Sequence, residues 1–499
     1  MKRLFAAFVV YLCLLPVCVA QDDRLTSQEA QKWADDMAQA LIDNFWGASF
    51  KEHPDRYFFN KTSQQADMGT GDYWPQAHAI DVITDAYIRT KNQKYYRMYD
   101  LWRQGMPRFN PNARQGRRKG DLWWNAYVDD MEWHCLALIR IYEATGETSY
   151  LNKARQIYAD WIWTQWGPGD EAPWYGGITW KTDAAKSKNA CSNGPAAIVA
   201  ARLAQLATID ASNDKNKSAS EYQDEAWKIY QWERQNLWDS KTGAVFDNMN
   251  MEGRIGRFSL SYNQGTFIGA AVELFRLTKD RSLLDDAILT ARYTTGRMSR
   301  RNNGVLSDAT GGDGGLFHGI FFRYLANLIV LSELDDSVRQ ELTDYLLHSA
   351  TVLVRQGVNP QTAIYGGRWR QAQPANEPSA LNPHVTGCML LEAACKVMAF
   401  ADNNADVVVT PNPLNLSYGF EEKDPVHRLA VDPVVVLDHD AVGYVDRWDA
   451  NKDRMSHASR VYAFSVDYGF SYNEQTYYAS VQPFNEVGLG EPSELVEVK

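Results

Sequence analysis

The chain has 499 residues and a formal net charge of −11, and 12% of its residues are aromatic, including 17 tryptophans. This length accommodates one large domain and one smaller domain. The acidic balance argues against nucleic acid and anionic membranes as partners and fits a neutral substrate, while the many tryptophans favour a surface that binds carbohydrate.

The N-terminus has the pattern of a secretory signal peptide. Basic residues at 2–3 precede an apolar stretch at 4–17, and a small residue, Ala20, follows. We predict a signal peptide over residues 1–20 and an exported protein that resides in the periplasm or outside the cell. Acylation at Cys18, which would anchor a lipoprotein at the cell surface, is the alternative. No later apolar run reads as a membrane span.

Two kinds of predicted helix alternate between about residues 26 and 402. One kind carries a single apolar face at helical spacing, as in residues 26–45, 148–163 and 281–294. The other kind is apolar on every side, which predicts burial. The segments of this second kind are 131–142, 195–209, 266–277, 316–332 and 386–400.

A short connector recurs between the two kinds of helix, which indicates a chain built from helix hairpins. The connector is seen as YIRTKN at 87–92, YEATGE at 142–147 and FRLTKD at 275–280. The predicted hairpins cover about 26–90, 93–145, 148–210, 219–278, 281–332 and 336–402. Twelve alternating helices predict a mainly α fold, an (α/α)6 toroid, over the domain 21–403.

The composition changes after residue 403. Residues 406–499 are rich in Val, Tyr, Pro and Asp and contain alternating patterns such as RVYAFSV, which predict a small all-β sandwich. Its second half resembles a fibronectin type III domain, with Tyr477 at the position of the tyrosine corner. The first half lacks the strand tryptophan that this family carries. We expect the domain to act as a spacer or packing module, and glycan binding is left open.

Four cysteines lie outside the predicted signal peptide: Cys135, Cys191, Cys388 and Cys395. Each lies in or beside an apolar helical segment, and none forms a CxxC pair. We therefore predict free, buried thiols and neither disulfides nor a metal site. Histidines are few and form no metal-binding motif, so no cofactor is predicted. Whether an ion binds the Asp- and Gly-rich loop at 308–315 stays open.

The stretch DLWWNAYVDDMEWHC at 121–135 places Asp129 and Asp130 side by side at the start of a predicted buried helix, among tryptophans and a tyrosine. Acidic residues are common in a first helical turn, as caps or as complements to the helix dipole. Burying them is nevertheless costly unless they are paired or used. Glycoside hydrolysis uses such a pair, with one carboxylate as nucleophile or base and one carboxylic acid as proton donor.

The adjacency of the two acids favours one stereochemical course. Consecutive residues hold their carboxyl carbons only roughly 5–7 Å apart, which suits a retaining enzyme better than an inverting one, because an inverting enzyme fits a water between them. Two like charges this close do not ionise together easily, so we expect one of the two pKa values to be raised.

Further polar and aromatic stretches precede or open the other buried helices. They are DYWPQ, WYGGITWK, YNQG, DGGLFHG and YGGRW. Each alone has a structural explanation, since amides and acids cap helices and glycine pairs form turns. Their recurrence at one position predicts a single cleft with stacking and hydrogen-bonding groups. The predicted substrate-binding residues are Trp74, Gln76, Trp124, Trp180, Asn193, Tyr262, Asn263, Gln264, Phe317, His318 and Arg323.

Several motifs, taken in order, resemble glycoside hydrolase family 76, the endo-α-1,6-mannanases, over about residues 26–402. The motifs are VDDMEW, YGGITW, KNACSNG, YNQG and LFHGIFFRYL. The resemblance implies an (α/α)6 fold, a retaining mechanism and a substrate of α-1,6-linked mannose, the backbone of fungal mannan. It also implies Asp129 as the nucleophile and Asp130 as the acid/base, an order that the residues themselves leave open.

Three positions depart from the family pattern. His318 stands where many relatives carry Lys, and Met131 and His134 stand where Gly and Trp are frequent. These departures concern the preference of the sugar subsites more than the chemistry.

The sequence thus predicts a monomeric, cofactor-free endo-α-1,6-mannosidase that acts on α-1,6-mannan or manno-oligosaccharides. A transglycosidase on the same fold is one alternative, although fungal relatives with that role carry a C-terminal anchor signal and this C-terminus is polar. A non-catalytic glycan-binding protein is another, although it would tolerate the loss of one acid and both are present. A polysaccharide lyase would need a basic cleft for uronic acids.

Overall fold

The computed structural model describes residues 24–48, 56–62, 72–110, 122–167 and 171–404, and eight strands between residues 416 and 498. The protein is mainly helical. The described helices are α1 (Ser27–Phe45), α2 (Tyr73–Thr90), α3 (Gln93–Phe109), α4 (Val128–Thr145), α5 (Thr148–Ile157), α6 (Ala190–Gln205), α7 (Ala219–Asn236), α8 (Ser261–Thr278), α9 (Arg281–Arg292), α10 (Gly314–Ile329), α11 (Asp336–Val352) and α12 (Leu381–Asn404). The predicted signal peptide lies outside the described residues.

The helices alternate between two kinds. The even-numbered helices are buried along most of their length, whereas the odd-numbered helices keep a polar face in solvent. Each even-numbered helix packs against the next, from α2 through α4, α6, α8 and α10 to α12, and α12 packs against α2. The contacts between the buried helices therefore run in a closed circle, and each odd-numbered helix packs against at least one of them.

The buried helices begin two to five residues before the apolar runs that predict them. Their first turns contain polar residues such as Asp129, Asn193 and Gln264, which a hydrophobicity pattern assigns to the preceding loop. These polar residues have specific partners in the folded protein, so they are accommodated in the interior without being apolar.

The recurring connectors share one hydrogen-bonding pattern. In each, a threonine hydroxyl donates to the carbonyl four residues earlier and accepts the backbone N–H two residues later. The next residue has a positive φ, which ends the helix with a left-handed cap. The threonines are Thr90, Thr145 and Thr278, followed by Lys91 (φ 53°), Gly146 (φ 77°) and Lys279 (φ 57°).

The loops that lead into four of the buried helices are also built alike. In each loop, a residue shortly after the preceding odd-numbered helix forms an antiparallel β-type backbone pair with a residue further along the loop. The pairs are Trp46 with Phe58, Trp166 with Ile178, Trp238 with Val245 and Val358 with Tyr365. The first pair belongs to strands β1 (Trp46–Ala48) and β2 (Arg56–Phe58). The fourth residue of the next buried helix then hydrogen-bonds the backbone of the second partner.

We call these fourth residues the loop clamps: Gln76, Asn193, Gln264 and His384. The amide clamps bond both the N–H and the C=O of their target, at 2.9 and 2.8 Å for Gln76 on Phe58, 2.8 and 3.2 Å for Asn193 on Ile178, and 2.9 and 2.8 Å for Gln264 on Val245. The ring of His384 accepts the N–H of Tyr365 at 3.3 Å. The clamps tie each loop to the start of its helix.

A small sheet joins two of these loops. Strands β3 (Lys188–Asn189), β4 (Asn248–Met249) and β5 (Ile255–Gly256) pair in that order, all antiparallel. Because β3 leads directly into α6, this sheet connects the start of α6 with the loop before α8.

The C-terminal strands form two antiparallel sheets. They are β6 (Leu416–Gly419), β7 (Val426–Val431), β8 (Gly443–Asp449), β9 (His457–Val461), β10 (Gly469–Ser471), β11 (Tyr477–Asn485), β12 (Gly488–Leu489) and β13 (Val496–Val498). One sheet has the order β10-β7-β6, and the other has the order β12-β11-β8-β9 with β13 also paired to β11. Tyr477 is the first residue of β11. The fibronectin type III assignment stays a prediction.

Within the described chain, a single segment is long and apolar enough to cross a membrane, Leu381–Asp402 in α12. Its mean hydropathy is 1.3, and 78% of its most apolar window is buried inside the protein. Such burial is typical of a core helix, so this segment is weak evidence for a membrane span.

Candidate active site

Asp129 and Asp130 lie in the first turn of α4. Tyr127 occupies the N-cap position, so neither aspartate caps the helix. The N–H of Val128 donates to the carbonyl of Trp180 at 2.9 Å, which ties the start of α4 to the loop before α6. Both aspartates are half-buried at this end of the circle of buried helices.

Burial raises the pKa of both carboxyls. The pKa of Asp129 is raised to about 7, and a hydrogen bond from the thiol of Cys191 works against this rise. The pKa of Asp130 is raised well above its ordinary value, first by burial and then by the charges of Asp129, Asp313 and Asp72. Because the charge of Asp129 opposes ionisation of Asp130, the pair keeps one proton after Asp129 has ionised, and Asp130 holds it.

Aromatic rings line one side of the pair. The ring of Phe317 stacks on that of Tyr262 with centroids 4.0 Å apart and planes 7° apart. The ring of Trp74 lies 6.5 Å from Phe317, and its Nε1 donates to Oδ1 of Asp313 at 3.1 Å. All three rings are half-buried, so part of each is open to a ligand.

A second aromatic group lies where the chain enters α4. The rings of Tyr127 and Trp180 meet edge to face, 5.1 Å apart. The ammonium of Lys181 lies 4.4 Å from the ring centre of Tyr127 and 4.9 Å from that of Trp180. A cation on an aromatic face is a favourable arrangement, and it leaves a polar group beside these half-buried rings.

A thiol lies between the acid pair and the first aromatic group. Cys191, in the first turn of α6, affects the ionisation of its neighbours: the thiol lowers the pKa of Asp129, and its charge raises the pKa of Tyr262. The four cysteines outside the predicted signal peptide are all free and buried, as the sequence predicts. Cys191 is thus a buried thiol that influences the ionisation of the acid pair.

Two further carboxyls are fully buried near the pair. Glu132 on α4 and Glu233 on α7 have no exposed surface, and none of their four carboxyl oxygens has a hydrogen-bond partner among the described residues. Burial raises the pKa of both groups well above the ordinary value, and the charges of Asp129 and Glu233 raise that of Glu132 further. Burial therefore favours the neutral, protonated form of both acids.

The family model of glycosyl hydrolase family 76 matches residues 29–402. This match covers most of the chain and includes the acid pair. The chain belongs to glycosyl hydrolase family 76. It is therefore a glycoside hydrolase, and mannan is the substrate class that the family supports.

Solved structures of similar proteins agree with the family. An inactive variant of the α-1,6-mannanase GH76A of Salegentibacter sp. HEL1_6, in complex with α-1,6-mannotriose, is 30% identical, with 74% of this chain and 99% of that chain covered and a TM-score of 0.63. The Lin0763 protein from Listeria innocua is 28% identical, with 74% and 97% covered and a TM-score of 0.61. Dfg5 from Chaetomium thermophilum, in complex with glucosamine, shares the fold at 19% identity, with 77% and 93% covered and a TM-score of 0.57. Among curated proteins, none matches the chain.

The predicted binding residues of this family 76 protein fall into two groups. Four of them, Trp74, Trp180, Tyr262 and Phe317, are the half-buried rings around the acid pair. The others lie in the framework that supports the site. Gln76, Asn193 and Gln264 are loop clamps, and each amide is already bonded to backbone. Trp124 is buried, and its carbonyl accepts a hydrogen bond from Asn110.

The remaining predicted residues are also bonded within the protein. His318 contacts Ser261 at 2.7 Å and the carbonyl of Ser307 at 2.9 Å, and burial lowers its pKa to about 4. Asn263 is buried and donates to Asp247 at 3.0 Å.

Arg323 lies further along its buried helix than the other predicted binding residues. It forms an ion pair with Asp85 at 2.6 Å. Arg323 follows the first residue of α10 by nine positions, which corresponds to about 13 Å along the helix axis. The ion pair with Asp85 points to a structural role for the guanidinium of Arg323.

Sequence reasoning missed four residues around the pair: Cys191, Asp313, Glu132 and Glu233. The first three lie inside motifs that were recognised, but their proximity to Asp129 and Asp130 depends on tertiary structure. Glu233 lies on an amphipathic helix, where no pattern distinguishes it from a surface acid. Among the described residues, no group of three or more His, Cys, Asp or Glu side chains is placed to hold a metal ion.

Proposed function

We propose that this family 76 protein is a retaining endo-α-1,6-mannosidase that cleaves the backbone of fungal-type mannan. The observation that carries the proposal is the adjacent, half-buried pair Asp129 and Asp130, with raised pKa values, between two groups of half-buried aromatic rings. Support comes from the similar α-1,6-mannanase structure with bound α-1,6-mannotriose. That enzyme is an inactive variant in which two consecutive aspartates are replaced by asparagine.

In the proposed mechanism, the carboxylate of Asp129 attacks the anomeric carbon while Asp130 protonates the leaving glycosidic oxygen. A covalent mannosyl-enzyme forms, and Asp130 then deprotonates the water that hydrolyses it. The electrostatics support this order of roles, because the ionised Asp129 raises the pKa of Asp130 and so keeps it protonated for the first step. Trp74, Trp180 and Tyr262 would stack on mannose rings beside the reacting bond.

We also propose that the circle of buried helices is the (α/α)6 toroid of residues 21–403, and that 406–499 form a fibronectin type III-like domain on a monomeric, exported protein. The two antiparallel sheets support the second assignment. Limited proteolysis should cut near 403–413 and release a folded β fragment, and N-terminal sequencing of the exported protein should begin at Gln21. A resistant junction or an uncleaved N-terminus would contradict these proposals.

The first test is hydrolysis of unbranched α-1,6-mannan, with the products followed by chromatography and their anomeric configuration by NMR. The wild type should release short manno-oligosaccharides that initially have the α configuration. Asp129→Ala should lower kcat by about 10⁴-fold or more, since it removes the proposed nucleophile. Asp336→Asn is the matched control, because Asp336 is also in a first helical turn but is fully exposed.

The outcomes separate the alternatives. Products longer than the input would indicate a transglycosidase, and binding without cleavage would indicate a glycan-binding protein. A β-configured first product would exclude the retaining mechanism. Asp130→Ala should keep activity on an aryl mannoside with a good leaving group, where no acid is needed, and azide should accelerate it. If Asp129→Ala shows that behaviour instead, the two roles are reversed.

A further inference from the structure

We propose that a cavity inside the circle of buried helices is a binding site for two ordered water molecules, which complete the hydrogen bonding of the polar side chains around it. The cavity is lined by residues of α2, α4, α6, α10 and α12, and the volume that water can enter is about 30 Å³. A water molecule needs about 10–15 Å³ of such volume, so two fit. The inference is independent of the proposed function.

Four of the lining side chains carry polar atoms that have no hydrogen-bond partner among the described residues. These atoms are both ring nitrogens of His78, Oδ1 of Asp81, and Nε of Arg202 and of Arg323. His78, Asp81 and Arg202 are only 4%, 5% and 8% exposed. Buried polar groups of this kind are costly when they stay unbonded, whereas cavities that stay empty have apolar linings. The lining therefore predicts bound water.

The hydrogen-bonding capacity of these atoms matches water better than an anion. Burial lowers the pKa of His78 well below its ordinary value, so its neutral ring offers one N–H donor and one nitrogen acceptor. Together with the two Nε–H groups and the Asp81 oxygen, the set has three donors and two acceptors. Two waters can satisfy all of them, since each water donates and accepts two hydrogen bonds. A halide only accepts, so it would leave both acceptors without a partner.

The charges around the cavity also leave no place for an anion. Each lining guanidinium already forms an ion pair with at least one carboxylate, so no positive charge is left uncompensated. An anion in the cavity would in addition lie close to the carboxylate of Asp81, which repels it. The ion pairs are Arg140 with Asp81 and Asp85, Arg202 with Glu143 and Glu273, and Arg323 with Asp85.

His78 connects the cavity with the aromatic rings near the acid pair. Its ring meets that of Trp74 edge to face, with the centroids 5.5 Å apart, and lies 4.8 Å from the ring of Trp133, which also lines the cavity. Waters bonded to the nitrogens of His78 therefore extend the hydrogen bonds of the ion-pair network to the residue that packs against Trp74.

The first experiment is a crystal structure of the full chain, from crystals grown in chloride and then soaked in bromide. We expect two density peaks within hydrogen-bonding distance of His78 and Asp81, and no anomalous bromine signal in the cavity. A bromine peak there would overturn the inference in favour of an anion site. A cavity without density would overturn it in favour of a dry interior.

A second measurement works in solution, on deuterated protein with labelled methionine methyl groups. Met389 lines the cavity, so its methyl group should show an NOE to water that resides there. Met37 is the control, because it is fully buried but does not line the cavity, and its methyl should show no such NOE. Met389→Leu and Met37→Leu assign the two signals.

His78→Phe tests which side chains hold the water. The substitution keeps an aromatic ring at this position and removes both nitrogens, so one of the two waters should be lost and the NOE at Met389 should fall about twofold. A wild-type Met389 methyl without an NOE to water would overturn the inference. An NOE that His78→Phe leaves unchanged would also overturn it, because the water would then not be bound by His78.

Discussion

At the scale of single residues, the first turns of α4 concentrate three acids, Asp129, Asp130 and Glu132, within four positions. Each has its pKa raised by burial, so the folded protein binds protons that the unfolded chain would release at neutral pH. The first two acids use this property in the proposed reaction. Glu132 contacts neither solvent nor a hydrogen-bond partner in the described structure, so its cost to stability is not offset by a partner.

We therefore predict that Glu132→Gln makes stability less dependent on pH. The folded pKa of Glu132 is raised, so its protonated form is favoured and stability is lost as pH rises above the unfolded pKa of about 4.5 toward the folded value. Each pH unit in that window costs about 1.4 kcal/mol. Relative to wild type, the variant should gain stability between pH 5 and pH 8, as measured by chemical denaturation at both values.

The control for this prediction is Glu171→Gln, because Glu171 has a side chain that is 77% exposed. It should shift stability by the same small amount at both pH values. A pH-independent effect of Glu132→Gln would mean that Glu132 is ionised in the folded protein, contrary to its surroundings.

At the scale of elements, the recurrence of amides at the start of the buried helices has a structural cause. The sequence pattern suggests a polar cleft lined by Gln76, Asn193 and Gln264, but each of these side chains bonds the backbone of the loop before its own helix. The repeat of the motif follows from the repeat of the hairpin, since each loop needs the buried backbone N–H and C=O groups satisfied where it meets a helix.

We predict that Gln264→Ala lowers stability and leaves mannan binding nearly intact. The substitution leaves the buried N–H and C=O of Val245 unsatisfied, which should cost about 2 kcal/mol or more. Thermal unfolding and titration calorimetry with α-1,6-mannotriose measure the two quantities separately. Gln39 is the control, because its bonds to Asp43 and Lys94 join side chains at the surface, and Gln39→Ala should change neither. Weaker binding at unchanged stability would restore Gln264 as a substrate ligand.

The same comparison shows what the sequence can and cannot reveal. Helix positions follow from hydrophobic spacing, because burial of one face or of all faces is a local property of a segment. The aspartate pair is also visible, since its two members are adjacent. The hydrogen bond from Val128 to Trp180, at the start of the helix that carries the pair, joins residues 52 positions apart in the chain. Only the packing of the helices into a circle brings such distant residues together, so no local sequence pattern predicts their contact.

At the scale of the whole molecule, ion pairs join the buried helices across the interior, away from the acid pair. Asp85 on α2 pairs with Arg140 on α4 and Arg323 on α10. Further pairs join α4 to α6 through Glu143 and Arg202, α6 to α8 through Arg202 and Glu273, and α2 to α12 through Arg89 and Glu392. All six buried helices thus take part in these ion pairs. Arg323, in the motif LFHGIFFRYL, therefore helps to hold the circle of buried helices closed.

Asp85→Asn tests this closure. The substitution removes the charge between Arg140 and Arg323 and leaves two largely buried guanidiniums without it, which should lower the free energy of unfolding by about 3–5 kcal/mol. The exposed pair of Arg24 and Asp344 provides the control, and Asp344→Asn should cost less than about 1 kcal/mol. The acid pair lies in the first turn of α4, whereas Asp85, Arg140 and Arg323 lie at least nine positions after the first residues of their helices. The kcat/KM of Asp85→Asn should therefore stay within about twofold of wild type at temperatures well below the unfolding midpoint of the variant. A large loss of activity at unchanged stability would show that the ion pairs act on the reaction and not on the closure of the circle.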